Sequence, residues 1–313
     1  MELTIVMYHY VRDLKHSRYP GIKGLDMDLF RGQTDFLQKH YHFVTVEQII
    51  AAYDGKEELP PKAVLLTFDD AYIDHFTNVF PVLHDRKIQG AFFPPVKAVT
   101  EHTVLDVNKI HFILASVSNT NVLLEEIKQL LMHYAHEYVL KPYDYYFDKL
   151  AAANRFDSKE VIFIKRLLQV ELEETLRNKM TNDLFRKFVS NDEQAFSQEL
   201  YMSTDQLRCM TQCGMHVGSH GYDHYWLGSL SKEKQEFEIQ KSMEVIQKSI
   251  WGGVNHYNTV CYPYGNYNED TLALLKQYDC RLGFTTEVRV ASLNDSPLTL
   301  PRLDTNDLPK AAK

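Results

Sequence analysis

The fold is decided by one short stretch of the sequence, AVLLTFDD, at residues 63–70. Its first six residues form a continuous apolar run, which is typical of a strand buried on both faces of a parallel sheet. Similar runs occur upstream, LTIVMY at residues 3–8, and downstream, GAFF at residues 90–93. Helical patterns separate these runs along the chain. The alternation of strands with helices therefore predicts an α/β fold built from βαβ units.

The composition excludes several classes of protein. The 313 residues include 34 Lys and Arg against 42 Asp and Glu, a formal net charge of −8, so we expect no nucleic-acid partner. No run of about 18 apolar residues occurs, and we expect no membrane span. The first ten residues lack the basic and apolar regions of a signal peptide, and the four cysteines fit reduced thiols. We therefore expect a cytoplasmic location.

A glycine-free block interrupts the alternating pattern. All 13 glycines lie outside residues 101–205, and this block contains a single proline, Pro142. Such a block predicts an inserted helical unit. One amphipathic helix is predicted over residues 122–134, and a longer one presents a second apolar face. The residues of that second face are Ile164, Leu167, Leu168, Leu172, Leu176 and Met180.

Two aspartates, Asp69 and Asp70, follow the buried strand directly. In α/β folds the carboxyl ends of the strands carry the active site. Adjacent side chains at a strand end diverge, so one carboxylate can bind a cation while the other transfers protons. The alternative is that one aspartate caps the next helix, which is predicted over residues 71–86.

A second motif, SHGYDH at residues 219–224, follows a strand predicted over residues 215–218. His220 and His224 have the spacing of a chelating pair on one face of a helical turn, although structural histidines are the alternative. With Asp70 they form a set that holds Zn²⁺ and leaves a position for water. Zinc would lower the pKa of that water to about 7, and Asp69 would act as its base. The sequence therefore predicts metal-assisted hydrolysis of an acyl bond.

These motifs also decide the domain organisation. The aspartates precede the glycine-free block and the histidines follow it, so one metal site requires both flanks to form one fold. We predict one α/β domain from residues 1–100 and 205–313, with residues 101–204 as an all-helical insertion. Its role as a lid over the active site or as an oligomer interface stays open, as does the oligomeric state.

Three further features carry weaker signals. YPYG at residues 262–265 is a tight turn that could aim a backbone N–H at a developing oxyanion, or a plain turn. Cys209 and Cys213 fall in a helix predicted to be capped by Asp205, and we expect buried thiols. Trp226 and Leu227 could form the wall of an acetyl pocket or belong to the ordinary core.

The order TFDD, SHGYDH, YPYG resembles the NodB-homology polysaccharide deacetylases, carbohydrate esterase family 4, over roughly residues 1–98 and 205–309. The resemblance implies a distorted, NodB-like (β/α) barrel of about seven strands that removes N- or O-acetyl groups from amino sugars. It also implies a divalent metal, Zn²⁺ or another such as Co²⁺, Ni²⁺ or Mn²⁺. The implied roles are Asp69 as base, Asp70, His220 and His224 as metal ligands, and Tyr264 as a backbone oxyanion donor.

The chain departs from this family at two positions. The family often has an arginine four residues before the glycine of the third motif, where this chain has Cys261, which cannot orient the base in the same way. The family's general-acid histidine near the C-terminus is also missing, because no histidine follows His256. A subgroup that includes the biofilm poly-N-acetylglucosamine deacetylases is similar at both points. That similarity implies His9 as general acid, with a structural histidine as the alternative, and Arg302 as the residue that orients Asp69.

The sequence thus predicts a metal-dependent hydrolase whose substrate is an N-acylated sugar or saccharide, expected to be a cytoplasmic precursor of a surface polysaccharide. Two alternatives remain. One is an amidohydrolase of the same family that acts on a non-sugar amide. The other is a non-catalytic carbohydrate-binding relative, whose mark would be loss of Asp69 or of a metal ligand.

Overall fold

The computed structural model describes residues 2–154, 157–252 and 256–309. The strands are β1 (Glu2–Tyr8), β2 (Val11–Arg12), β3 (Leu25–Asp26), β4 (His42–Phe43), β5 (Ala63–Asp69), β6 (Gly90–Phe93), β7 (His216–Val217), β8 (Asn258–Cys261), β9 (Cys280–Phe284), β10 (Ala291–Ser292) and β11 (Leu303–Asp304). The α-helices are α1 (Met27–His40), α2 (Val46–Tyr53), α3 (Phe80–Asp85), α4 (Val96–Thr100), α5 (Asp106–Ala115), α6 (Thr120–Tyr134), α7 (Tyr143–Leu150), α8 (Lys159–Arg166), α9 (Glu174–Phe188), α10 (Glu193–Leu200), α11 (Thr204–Gln212), α12 (Lys232–Val245) and α13 (Glu269–Gln277). Short π-helical segments cover His75–Val79, Leu167–Glu171 and Ile246–Ile250.

The chain divides into two compact units. Unit 1 comprises Met1–Asp13, Gly24–Thr103 and Ser197–Lys313, and unit 2 comprises Leu14–Lys23 and Val104–Phe196. Each predicted site residue lies in unit 1, whereas α5 to α9 lie in unit 2. The role of the helical unit as a lid or an oligomer interface stays a prediction. No helix in the described ranges is both long enough and apolar enough to cross a membrane.

The strands of unit 1 confirm the predicted α/β fold. The main sheet has the order β10-β1-β5-β6-β7, with β4 also paired to β5 and β11 to β1. These pairings are parallel except the one between β1 and β10. β8 and β9 form a separate parallel pair, and isolated parallel bridges join Ser219 to Val260 and Phe284 to Leu300. Pairing therefore continues from β7 toward β8, and from β9 toward the segment that precedes β11, as a distorted barrel requires.

Residue alternation along the strands places the core and the site on the same side of the sheet. Ala63 and Leu65 of β5 share one buried cluster with alternate residues of β1 and β6 and with Phe284 of β9. Since side chains alternate across a strand, Thr67 and Asp69 continue that inner face of β5. The opposite face, Val64, Leu66 and Phe68, is buried as well, which explains the continuous apolar run.

The helix predicted over residues 71–86 begins later than expected. Asp70 and Ala71 have φ values of 74° and 55°, in the left-handed region, so neither can belong to a right-handed helix. The helical segment starts at Ile73, becomes a π-helix at His75 and continues as α3. The alternative in which Asp69 or Asp70 caps this helix is therefore wrong.

Ala71 is strained, and its replacement by glycine should stabilise the protein. An L-residue in the left-handed region costs roughly 1–2 kcal/mol, and glycine avoids this cost. Glycine loses about 0.5–1 kcal/mol more conformational entropy on folding, which offsets part of the gain. We expect Ala71→Gly to raise the free energy of unfolding by about 0.5–1 kcal/mol, measured by urea titration. The matched control, Ala51→Gly inside α2, should lower it by about 1 kcal/mol. A destabilised Ala71→Gly protein would contradict the strain argument.

Three local predictions outside the site are also corrected. The single long helix is two helices, α8 and α9, because Leu172 between them is extended (ψ 159°); the six predicted core residues are nevertheless buried. The N-cap of α11 is Ser203, in a capping box with Gln206, and not Asp205. Cys209 and Cys213 are exposed, because the buried side of α11 carries Leu207 and Met210.

Candidate active site

A buried ion pair between Asp69 and Arg302 lies at the carboxyl end of β5. Arg302 Nη1 donates to Asp69 Oδ1 at 3.0 Å and Nη2 to Oδ2 at 2.8 Å, and the two residues are 0% and 1% exposed. The guanidinium is itself fixed, since it also donates to Thr67 Oγ1 and to the carbonyl of Thr285. Burial by itself would raise the pKa of Asp69, but the positive charge and the hydrogen bonds of Arg302 hold it at about 2. The carboxylate is therefore ionised at neutral pH.

Two more side chains contact or approach Asp69. Parallel pairing of β1 with β5 sets Tyr8 opposite Phe68, so the next residue, His9, lies beside Asp69. His9 Nε2 is 3.9 Å from Asp69 Oδ2, and the His9 side chain is 41% exposed. Cys261 Sγ donates to the same oxygen at 3.3 Å, a contact that sequence reasoning missed. A thiol is a weak donor, so the strong, two-pronged orientation of Asp69 comes from Arg302.

Asp70, His220 and His224 converge on one point. Asp70 Oδ1 is 3.4 Å from His220 Nε2 and 3.3 Å from His224 Nε2. The three ligand atoms lie within 4.8 Å of one another, and the side chains are buried or nearly so. The structure thus brings together the three residues that the sequence proposed as metal ligands.

The hydrogen bonds around this trio fit a divalent cation. His220 Nδ1 donates to the carbonyl of Cys261 at 2.7 Å, so in the neutral ring the lone pair on Nε2 points toward Asp70. Tyr72 Oη donates to Asp70 Oδ2 at 2.6 Å, while Oδ1 is buried without a hydrogen-bond partner among the described residues. Acceptor atoms facing one another without a hydrogen between them need a positive ion, and two imidazoles with one carboxylate suit zinc. Sequence reasoning missed Tyr72, whose signal is its position two residues after Asp70.

A second cluster of ligand atoms, from Asp69, His220 and Cys261, also has its members within 4.8 Å of one another, close enough to hold a metal ion. Both carboxylate oxygens of Asp69 already accept hydrogen bonds from Arg302, and the Cys261 thiol donates to one of them. These atoms are therefore less suited to bind a cation than Asp70, His220 and His224.

The segment that carries the two histidines is a loop and not the helical turn that their spacing predicted. Gly221 and His224 have φ values of 76° and 56°, which interrupt any helix. The first two backbone N–H groups of α4 donate to the carbonyls of Gly221 and Tyr222. On the other side, Glu238 Oε2 accepts from the N–H groups of Tyr222 and Asp223 at 2.9 Å each. The loop is thus held from two directions, with the imidazole rings 4.7 Å apart.

Tyr264 lies in a short 3₁₀ turn after β8, and its backbone is left-handed (φ 58°, ψ 12°). Its ring contacts His224 at 4.7 Å and stacks on the ring of Trp226 at 4.4 Å. Trp226 is only partly buried, whereas Leu227 is fully buried in a core cluster with residues of β8, β9, α12 and α13. The turn is therefore adjacent to His224, and Leu227 belongs to the ordinary core.

Known proteins resemble this chain in sequence and in fold. The family model described as polysaccharide deacetylase matches residues 56–135 and 179–283, which is more than half of the chain. YxkH of Bacillus subtilis strain 168 is 30% identical over 105 residues, 33% of this chain and 36% of that protein. The poly-β-1,6-N-acetyl-D-glucosamine N-deacetylase of Escherichia coli K12 is 51% identical over 80 residues, 25% of this chain and 12% of that protein. The chain thus matches well under two thirds of the length of either relative.

Solved structures share the fold over nearly the whole chain. The Streptococcus pyogenes deacetylase PplD superposes with a TM-score of 0.59 at 17% identity, covering 97% of this chain and 92% of that one. IcaB from Ammonifex degensii gives a TM-score of 0.58 at 20% identity, covering 96% and 91%. With the family model matched over more than half of the chain, and with the motif residues gathered at one strand edge, the chain belongs to the polysaccharide deacetylase family.

Proposed function

We propose that the protein is a metal-dependent deacetylase that removes an N-acetyl or other N-acyl group from an amino sugar. The observation that carries this proposal is the pairing of two sites at one strand end. Asp70, His220 and His224 are placed to bind a cation. Directly beside them lies the ionised carboxylate of Asp69, which Arg302 orients through hydrogen bonds. Membership of the polysaccharide deacetylase family supports the reaction class.

Each residue then has a defined task. A divalent cation, when bound, lowers the pKa of a water molecule toward about 7 and polarises the acyl carbonyl. Asp69 accepts the proton of the attacking water, and Arg302 keeps the carboxylate ionised and in a fixed orientation. His9 donates a proton to the departing amine, and the backbone N–H of Tyr264 stabilises the developing oxyanion. Together these groups supply the base, the acid and the electrostatic stabilisation that amide hydrolysis needs.

The names of the relatives support a substrate class. We propose an N-acetylated glucosamine saccharide, in the form of a precursor of a surface polysaccharide, and the name of the Escherichia coli relative supports the sugar. The presence of Asp69 and all three ligand residues argues against a non-catalytic carbohydrate-binding relative. A cytoplasmic location stays a prediction.

Metal removal gives the direct test of this proposal. Chelation followed by dialysis should abolish acetate release from N-acetylglucosamine oligomers, and Zn²⁺, Co²⁺, Ni²⁺ or Mn²⁺ should restore it. The measurement is enzymatic quantification of acetate together with elemental analysis of the protein. Acetate release that survives complete metal removal would rule out the metal-dependent mechanism.

A panel of substrates separates the alternatives. Faster release from oligomers and activated sugars than from long polymers would support a precursor as substrate, and the reverse order would contradict it. Release from N-acetylated amines but not from sugars would favour the non-sugar amidohydrolase.

A further inference from the structure

The segment that follows β1 is held by a turn that lies beyond the aspartate motif. We name residues 72–78 the anchoring turn. His75 Nε2 lies 2.7 Å from the backbone carbonyl of His9, and Asn78 Nδ2 donates to the carbonyl of Val11 at 2.9 Å. Arg12 Nε donates to Asp74 Oδ2 at 2.7 Å. Three side chains of one turn thus hold three residues of the segment that carries His9.

His75 acts as the donor in its contact with His9. A carbonyl oxygen can only accept, so the proton of the hydrogen bond belongs to His75 Nε2. His75 is 0% exposed, and its ring lies against the rings of Phe68, Tyr72 and Phe92. Burial lowers the pKa of His75 to about 4, so the ring is neutral and donates from this nitrogen alone. Its position in a π-helical turn is typical of functional sites.

The side chain of His9, in contrast, is loosely held. It is 41% exposed, and its 3.9 Å separation from Asp69 Oδ2 is longer than a hydrogen bond. The position of its imidazole therefore depends on the backbone of His9. That backbone is fixed by the short hydrogen bond from His75.

We infer that His75 is a positioning residue, which holds the backbone of His9 so that the His9 imidazole can protonate the departing amine. The inference rests on the proposed function, in which His9 is the general acid. The substitution that tests it is His75→Phe, because phenylalanine keeps the aromatic packing and removes the donor.

The test compares two substrates of the same metal-loaded protein. An N-acetylglucosamine oligomer has an amine leaving group that must be protonated, whereas 4-nitrophenyl acetate leaves as a stable phenolate. We expect His75→Phe to lower kcat on the oligomer about 10- to 100-fold with little change in KM. Hydrolysis of the ester should stay within about twofold of the unchanged protein, because that step needs no acid.

A double mutant links the effect to His9. His9→Ala should show the same selectivity with a larger loss on the oligomer, and His9→Ala/His75→Phe should be no slower than His9→Ala alone. His75→Gln, which restores an N–H donor, should recover part of the oligomer activity. Additive losses in the double mutant would overturn the inference.

The matched control is His216→Phe. His216 is also a buried histidine with one side-chain hydrogen bond, to Thr259 Oγ1, and lies outside the anchoring turn. The His216→Phe substitution should change the activities on the oligomer and on the ester by the same factor. An oligomer-to-ester ratio that is unchanged in His75→Phe would overturn the role of His75.

Two further outcomes are separable. If His75→Phe fails to fold, His75→Leu, which also removes the donor to the His9 carbonyl, takes its place, and an unchanged oligomer-to-ester ratio in that variant would overturn the inference. An unmodified protein that releases no acetate from any sugar would instead contradict the proposed function, independently of His75.

Discussion

Asp69→Asn should lower kcat for acetate release by about 10²- to 10⁴-fold while the metal stays bound. The amide has the shape of the carboxylate but cannot take a proton from water. The proposed ligand set, Asp70, His220 and His224, is untouched by this change. The measurement is steady-state acetate release paired with the metal content of the same preparation.

The matched control is the neighbouring substitution Asp70→Asn. It removes the negative charge that faces both histidines and puts an amide group in place of one carboxylate oxygen, so it should lower the metal content as well as the activity. The two variants should therefore differ in metal content. Asp69→Asn should be inactive and metal-loaded, whereas Asp70→Asn should be inactive and metal-poor. Activity of Asp69→Asn within tenfold of the unchanged protein would exclude Asp69 as the base.

Arg302→Met should lower the free energy of unfolding by about 3–5 kcal/mol, because it leaves the Asp69 carboxylate buried and unpaired. Activity should fall as well, since Asp69 loses the two hydrogen bonds that aim it. Urea titration at pH 7 in the presence of a chelator measures the first effect without a contribution from bound metal.

The difference in free energy of unfolding between Arg302→Met and the unchanged protein should depend on pH with a defined sign. The folded-state pKa of Asp69 is about 2, below its ordinary value of 3.8, so the pair stabilises the fold above about pH 4. This contribution is lost as the pH falls toward 2, and the gap between Arg302→Met and the unchanged protein should narrow there. A gap that is constant over this range would show that the ion pair is not its source.

A surface arginine supplies the control for the Arg302 variant. Arg281 pairs with Asp54, and both side chains are between a quarter and a third exposed. Arg281→Met should cost less than about 1 kcal/mol, because solvent screens such a pair. Equal losses from the two arginines would contradict the argument from burial.

The sequence was sufficient for the features that arise from short-range chemistry. The strand before Asp69 is predictable because a strand buried on both faces must be apolar throughout. The grouping of Asp70, His220 and His224 is predictable because parallel strands present their carboxyl ends at one edge. The roles of His9 and Arg302 came from resemblance, and the structure places both beside Asp69.

Features that depend on contacts between distant segments could be identified only from the tertiary structure. The contacts of Cys261 with Asp69 and of His75 with the His9 carbonyl leave no periodic signal in the chain. The left-handed backbone at Asp70 and Ala71 overrode the local helical pattern, since tertiary packing outweighs a strain of roughly 1–2 kcal/mol per residue. Local patterns thus specify the strands and which polar residues end them. The orientation of those residues is set by side chains up to 233 positions away, because a hydrogen bond depends on distance in space and not on separation along the chain.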